Sequence, residues 1–255
     1  MATLQWLGTA SDGAPRDFRI GRGNARPVTG ALWLPPNPDA ETPLLLCGHG
    51  ASGDRYQAPI PYLGKRMTRE QGVAVLAIDG PVHGLRHVPP GGREALRVEM
   101  QREGAVEDMV GDWHEALEAV CRDTGVGPGR IAYFGLSMGS IFGIPLLASG
   151  IGVHAATLGL LGTWGLGRAF GERLARDAAA IDIPVLFLMQ LEDELFNRKG
   201  YLELFDALGS ADKRLHANPG LHPEIPAEEI DFAFEFLARR LAGEVRRGIV
   251  NPLAE

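Results

Sequence analysis

The chain is poor in cysteine: 255 residues carry only Cys47 and Cys121. That excludes a small scaffold stapled by several disulfides. Two buried, reduced thiols are expected, and with them a cytoplasmic protein; one disulfide between the two is the alternative. Positive charge is also short. Twenty-five Lys and Arg stand against 32 Asp and Glu, a net charge of −7, with no basic stripe. Nucleic acid and anionic membrane are therefore poor partners. No apolar run reaches the length of a membrane span. The start, MATLQWLG, has neither a basic n-region nor a long apolar core, so no signal peptide is read there.

What is present is glycine, 34 residues, and apolar residues at 45%. Recurrent apolar runs make the glycines turn residues rather than a sign of disorder. The length suits one large domain or two small ones. Continuous apolar runs of strand length fall at 43–50, 73–80, 130–137 and 184–190, with a weaker one at 154–162. Such runs are expected of strands covered on both faces. An early strand is read at 28–35, paired with 17–20. A short, polar candidate at 213–219 suits a sheet edge. Helices alternate with these strands. Val106, Met109, Val110, Trp113, Leu117, Val120 and Cys121 recur at helical spacing and predict a helix over 105–123. A shorter helix at 201–208 is expected to close on Gly209 as its C′ residue. Pro226 and the acids after it open a last helix. No repeat, low-complexity tract or linker interrupts the pattern. Alternation of this kind predicts one doubly wound, mostly parallel α/β sheet, with ligands beyond the carboxyl ends of its strands.

At one such strand end stands Gly135-Leu136-Ser137-Met138-Gly139. A sharp strand-to-helix turn there lifts the serine hydroxyl out of the sheet, and the flanking glycines leave room for it. The plainer reading, a serine N-cap on an ordinary turn, is outweighed by this context. A serine needs a base, and the fold expects Ser, then Asp or Glu, then His along the chain. Glu192, Asp193 and Glu194 lie just past the 184–190 strand, and Asp193 is the choice among them. His222, in ANPGLHPEIP, comes third; its rival, His216, lies inside a candidate strand. Donors for a developing oxyanion are expected from the amides of Met138 and of Ala51, with Gly50 next, in GHGASGD. His49 is then a loop-shaping residue.

These motifs (HGASG, DGPVHG, GLSMG, Asp193 and His222) resemble the α/β-hydrolase superfamily, nearest its single-domain dienelactone hydrolase-like and acyl-esterase branches. The resemblance spans about residues 28–242. It implies an eight-stranded, mostly parallel sheet in one domain over 1–255, with no large cap, and a Ser137–His222–Asp193 triad. It brings no cofactor and no metal. The chain departs from the family at two positions. Ser137 replaces the cysteine of dienelactone hydrolases proper, which points to an esterase. Gln190 stands where many relatives carry glycine.

The expected activity is hydrolysis of a small carboxylic ester through an acyl-enzyme. Thioesterase, lactonase and acyltransferase activities share the machinery, and a non-catalytic binding protein is the rival from outside enzymology. His83 and His87, at i and i+4, raise a metallohydrolase, but Gly84, Pro89 and Pro90 argue against the helix it needs. The excursion 81–104 is expected to wall the pocket, and 163–170 could face it. Arg55, Arg86 and Arg168 could meet an acidic substrate, but single arginines are more often solvated, and no role is assigned to them. The apolar residues of 246–255 suggest packing on a partner subunit, a possible homodimer, or on the chain's own surface.

Overall fold

The structure, a computed structural model, describes residues 3–244 except 10–12, 24, 128 and 165–169. The expected tail contacts at 246–255, Arg168 and most of 163–170 lie outside those residues.

Nine strands form one sheet: β1 Thr3–Leu7, β2 Arg16–Arg22, β3 Ala25–Trp33, β4 Leu44–Gly48, β5 Ala74–Ile78, β6 Ile131–Gly135, β7 Val153–Gly159, β8 Val185–Gln190 and β9 Lys213–Asn218. Their spatial order is β1-β2-β3-β5-β4-β6-β7-β8-β9. The pairs from β5 through β9 are parallel, and β1, β2 and β3 add antiparallel at one edge. The sheet therefore has one strand more than the eight of the resemblance. The additional strand, β1, is short and half exposed, so it carries no apolar run to announce it. Trp6 fixes it by packing edge-on against Phe18 and donating to Asp123 at 2.7 Å.

Strands β4, β5 and β6 are buried at every residue, because helices cover both faces. On one face lie α1 (Ile60–Glu70) and α7 (Ala227–Leu241). On the other lie α2 (Gly92–Glu99), α3 (Ala105–Thr124), α4 (Met138–Ala148), α5 (Gly171–Ala179) and α6 (Arg198–Ala207). Cys47 packs in the first layer and Cys121 against the second, and both are free thiols. Helix α4 is apolar nearly all round, and its first nine residues are all buried; such a helix belongs in a core.

Gly209 is not the left-handed cap expected of it. Helix α6 ends through an extended Leu208. A side chain at Gly209 would come within 2.4 Å of the Ala179 carbonyl, so close approach, not capping, requires the glycine. Helix α7 starts as expected, with Pro226 at its N-cap and Glu228 and Glu229 in its first turn. Its buried Phe234 and Leu237 each contribute roughly 1.5–3 kcal/mol of burial. That docking anchors the loop carrying His222 against the sheet. Among the described residues, no helix is long and apolar enough to cross a membrane.

Candidate active site

The turn between β6 and α4 holds Ser137 at φ 56° and ψ −118°, a conformation that a side chain strains to adopt. Three contacts hold it there. Ser137 N–H donates to the Gly159 carbonyl at 3.0 Å. Ser140 Oγ, fully buried, donates towards the Gly135 and Gly159 carbonyls at 2.7 and 2.8 Å and accepts from Gly159 N–H. Tyr133 reaches the Gly139 carbonyl at 2.6 Å. The spacing of the motif is then a matter of room. A Cβ at Gly139 would lie 2.4 Å from the Gly48 carbonyl, and one at Gly135 2.6 Å from the Tyr133 ring.

The structure brings the three expected residues into one row. His222 Nε2 lies 2.9 Å from Ser137 Oγ, and its Nδ1 lies 2.7 Å from Asp193 Oδ2. Both His222 and Asp193 are buried. Asp193 is the member of the acidic triplet that faces the histidine, and its neighbours are used otherwise. Glu194 accepts from His222 N–H at 2.9 Å, and Glu192 from Gly220 N–H. Asp193 Oδ1 accepts from Leu195 and Phe196 N–H at 2.7 and 2.9 Å, and Tyr201 hydroxyl donates to Oδ2. Burial alone would raise the Asp193 pKa; the bonds from His222, Tyr201 and the two amides outweigh it and hold the carboxyl below its ordinary value. His216 is elsewhere, on β9, paired with Glu229 at 2.9 Å.

Gln190 ends β8 and donates to the Pro219 and Glu224 carbonyls at 3.2 and 2.6 Å. It ties the acid loop to the histidine loop, a role that its sequence position did not reveal. Tyr201 was also missed as a site residue, because its spacing in α6 reads as an ordinary core position.

Ala51 and Met138 both line a cavity of about 540 Å³ that opens onto Ser137. Met138 N–H is in the first turn of α4, so it has no intrahelical acceptor. The walls are largely apolar: Leu96 and Met100 from the 81–104 excursion, Ile141, Phe170, Leu195 and Phe196. The excursion thus does wall the pocket. Ser137 also borders a smaller space of about 130 Å³, lined by Ser52, Gln57, His222 and Ile225 among others. Arg93 borders both.

The remaining expectations resolve as structure. Arg55 is buried between Asp17 and Asp79, and Arg86 against Asp112, so neither is available to a substrate. His83 and His87 flank a single 3₁₀ turn, Gly84–Arg86, not an α-helix. His49 is buried, with Nδ1 2.8 Å from the Gly50 carbonyl and Nε2 accepting from Gly80 N–H at 2.8 Å. It shapes the loop, as expected.

No family model matches the chain. Solved structures do. A cold-adapted esterase from an Arctic intertidal metagenomic library, in complex with polyethylene glycol, is 32% identical with a TM-score of 0.80, over 92% of this chain and 99% of that one. This chain belongs to the α/β-hydrolase esterases. The esterase also shares its fold with an acetyl xylan esterase from Paenibacillus sp. R4, at 17% identity and TM-score 0.68 over 93% of this chain and 88% of that one. An esterase from Pyrococcus furiosus, 15% identical with TM-score 0.68, covers 92% and 98% of the respective chains. The esterase is thus a carboxylic ester hydrolase acting on a small-molecule substrate.

Proposed function

We propose that the esterase works as a serine hydrolase, cleaving a small carboxylic ester through an acyl-enzyme on Ser137, His222 and Asp193. The observation that carries this reading is the unbroken row from Ser137 Oγ to His222 at 2.9 Å and on to Asp193 at 2.7 Å. Asp193, ionised and buried, accepts from Nδ1–H and so leaves Nε2 as the base. His222 takes the Ser137 proton as Oγ attacks the acyl carbon. The tetrahedral oxyanion accepts hydrogen bonds from Ala51 and Met138 N–H at the positive end of α4. His222 then passes the proton to the departing alkoxide, and the alcohol leaves. Water, deprotonated by His222, attacks the acyl carbon; collapse returns Ser137 and frees the acid.

The two spaces beside Ser137 support an unequal ester. One limb is apolar and fills the 540 Å³ cavity; the other is short and faces the 130 Å³ space. In this proposal the chain is one hydrolase domain over 1–255, with its core over about 28–242. The test is hydrolysis of p-nitrophenyl acetate, butyrate and octanoate by wild type and Ser137→Ala. Loss of at least ~10⁴ in kcat with the fold intact is expected. Turnover by Ser137→Ala at the wild-type rate would remove the mechanism.

A further inference from the structure

One buried group near Ser137 has no part in that mechanism. His83 follows β5 in DGPVHG and is only 3% exposed. Its Nε2 lies 3.0 Å from the Ala51 carbonyl. Its Nδ1 is buried without a partner. A carbonyl only accepts, so Nε2 carries the proton and Nδ1 is a bare lone pair. A purely apolar side chain would fill this space without leaving a polar nitrogen unsatisfied. Among the described residues, the one hydrogen bond of the His83 side chain is to the residue expected to stabilise the oxyanion.

The neighbouring peptide is held in the same way. His49 accepts from Gly80 N–H at Nε2, so its Nδ1–H donates to the Gly50 carbonyl. In a trans peptide the C=O and N–H point to opposite sides. Fixing the Gly50 carbonyl towards His49 therefore turns the Ala51 N–H of the same unit away from it. Fixing the Ala51 carbonyl holds the next unit. The two peptide planes that meet at the Ala51 Cα are each pinned by an imidazole, and the rings pack edge to face with centroids 5.3 Å apart. The platform beneath is tied by several bonds. Asp79, fully buried, is bonded by Thr29, Arg55 and Leu85 N–H, and Arg86 holds its carbonyl at 3.0 Å.

We propose that His83 is a positioning residue for the oxyanion hole: with His49, it clamps the 50–52 backbone so that Ala51 N–H is preset towards the tetrahedral intermediate. The inference rests on the serine mechanism above. Its energetic effect falls on the transition state, because the donor is used fully only when negative charge develops.

Two substitutions separate this role from simple packing. His83→Gln keeps an N–H donor at about the reach of Nε2. His83→Leu fills the space with none. kcat and KM are measured with p-nitrophenyl butyrate, along with inhibition constants for an alkyl trifluoromethyl ketone and for butyrate. The ketone forms an anionic tetrahedral adduct with the serine, whereas butyrate does not. His83→Leu is expected to lower kcat about 10- to 100-fold, short of the ~10²–10³ for deleting a whole donor. KM and the butyrate constant stay within about threefold, and the ketone constant rises in step with the fall in kcat. His83→Gln recovers most of the loss. If His83→Leu does not fold, His83→Asn, whose amide is too short to reach Ala51, takes its place against His83→Gln. Wild-type kcat in the donor-free variant overturns the proposal. So does an equal loss in both variants with KM and butyrate binding moving alike. Failure of the underlying mechanism looks different: Ser137→Ala would retain turnover, or the ketone would not inhibit the wild type at all.

Discussion

Replacing Asp193 by asparagine changes one atom and should reverse the direction of a hydrogen bond two groups away. Two backbone amides, Leu195 and Phe196 N–H, point at Oδ1. An amide NH₂ cannot accept from them, so the amide oxygen must take that position. The NH₂ group then occupies the place of Oδ2, facing Tyr201 hydroxyl and His222 Nδ1. Tyr201 can turn its hydroxyl and accept. His222 can accept only with Nδ1 bare, so its proton moves to Nε2. That N–H now points at Ser137 Oγ, 2.9 Å away, and the proposed base has become a donor. In a protease with an established Ser–His–Asp triad the same wrong-tautomer change costs about 10⁴ in kcat, or roughly 5 kcal/mol of transition-state stabilisation. Asp193→Asn should therefore fall about 10⁴-fold in kcat on p-nitrophenyl acetate, with circular dichroism and a cooperative melt retained. A folded variant within about tenfold of wild type would refute the reasoning, because it would show that Asp193 does not set the tautomer.

Three further outcomes follow from the same contacts. Tyr201→Phe keeps the ring packed on Phe187 and Phe196 but removes a donor to a buried carboxylate. It should cost about 1.5–3 kcal/mol, read by urea denaturation, while kcat stays within about tenfold because the His222–Asp193 bond remains; unchanged stability would deny the bond. Gly139→Ala places a methyl 2.4 Å from the Gly48 carbonyl and should destabilise by about 1–3 kcal/mol despite better helix propensity, with a Tm no lower than wild type as the contrary result. Finally, burial holds His49 and His83 below the ordinary 6.5, against the opposing pull of Asp79 on both and of Asp54 on His49, while Arg86 and His87 push His83 the same way as burial. Below about pH 6.5 the unfolded chain takes up protons that the native state refuses, so stability falls with pH, by at most ~1.4 kcal/mol per unit for each histidine. Denaturation curves that do not change between pH 7.5 and 5 would contradict this.

The parts of the molecule legible in the sequence were those with local causes. Buried parallel strands announce themselves as apolar runs, and GLSMG announces a turn because bulk at either glycine meets backbone or the Tyr133 ring. Helix 105–123 was visible from period alone, and α3 is observed at Ala105–Thr124. Three adjacent carboxylates just past a strand give only a weak signal for Asp193, and packing decides among them. The rest depended on contacts between residues far apart along the chain. Tyr201 looks like any core residue of α6 until the fold sets its hydroxyl on Asp193. Gln190 looks like an ordinary strand end until its amide is seen to bond the Pro219 and Glu224 carbonyls. His83 was weighed as half of a metal pair, since spacing cannot tell a ligand from a ring turned inward onto a carbonyl 32 positions earlier.

These long-range contacts share a physical origin. The parallel ladder ends at the carboxyl ends of β4, β5, β6 and β8, which leaves backbone carbonyls and amides there without strand partners. Burying such groups unpaired is costly. Buried polar side chains stand at these ends and bond strand ends or the loops beyond them: Ser140 the Gly135 carbonyl, Gln190 the Pro219 and Glu224 carbonyls, Asp79 Leu85 N–H and His49 Gly80 N–H. Every loop that carries a proposed reacting group is thereby pinned to the sheet. The pocket walls are not pinned in the same way. In α2, Arg93, Glu94 and Arg97 are exposed while lining the cavity at Ser137. The helix holds to the body chiefly through buried Ala95 and Leu96 and through Glu99, which Arg26 and Arg102 bond. Substitutions on its pocket side should therefore change which ester fits without moving Ser137, His222 or Asp193.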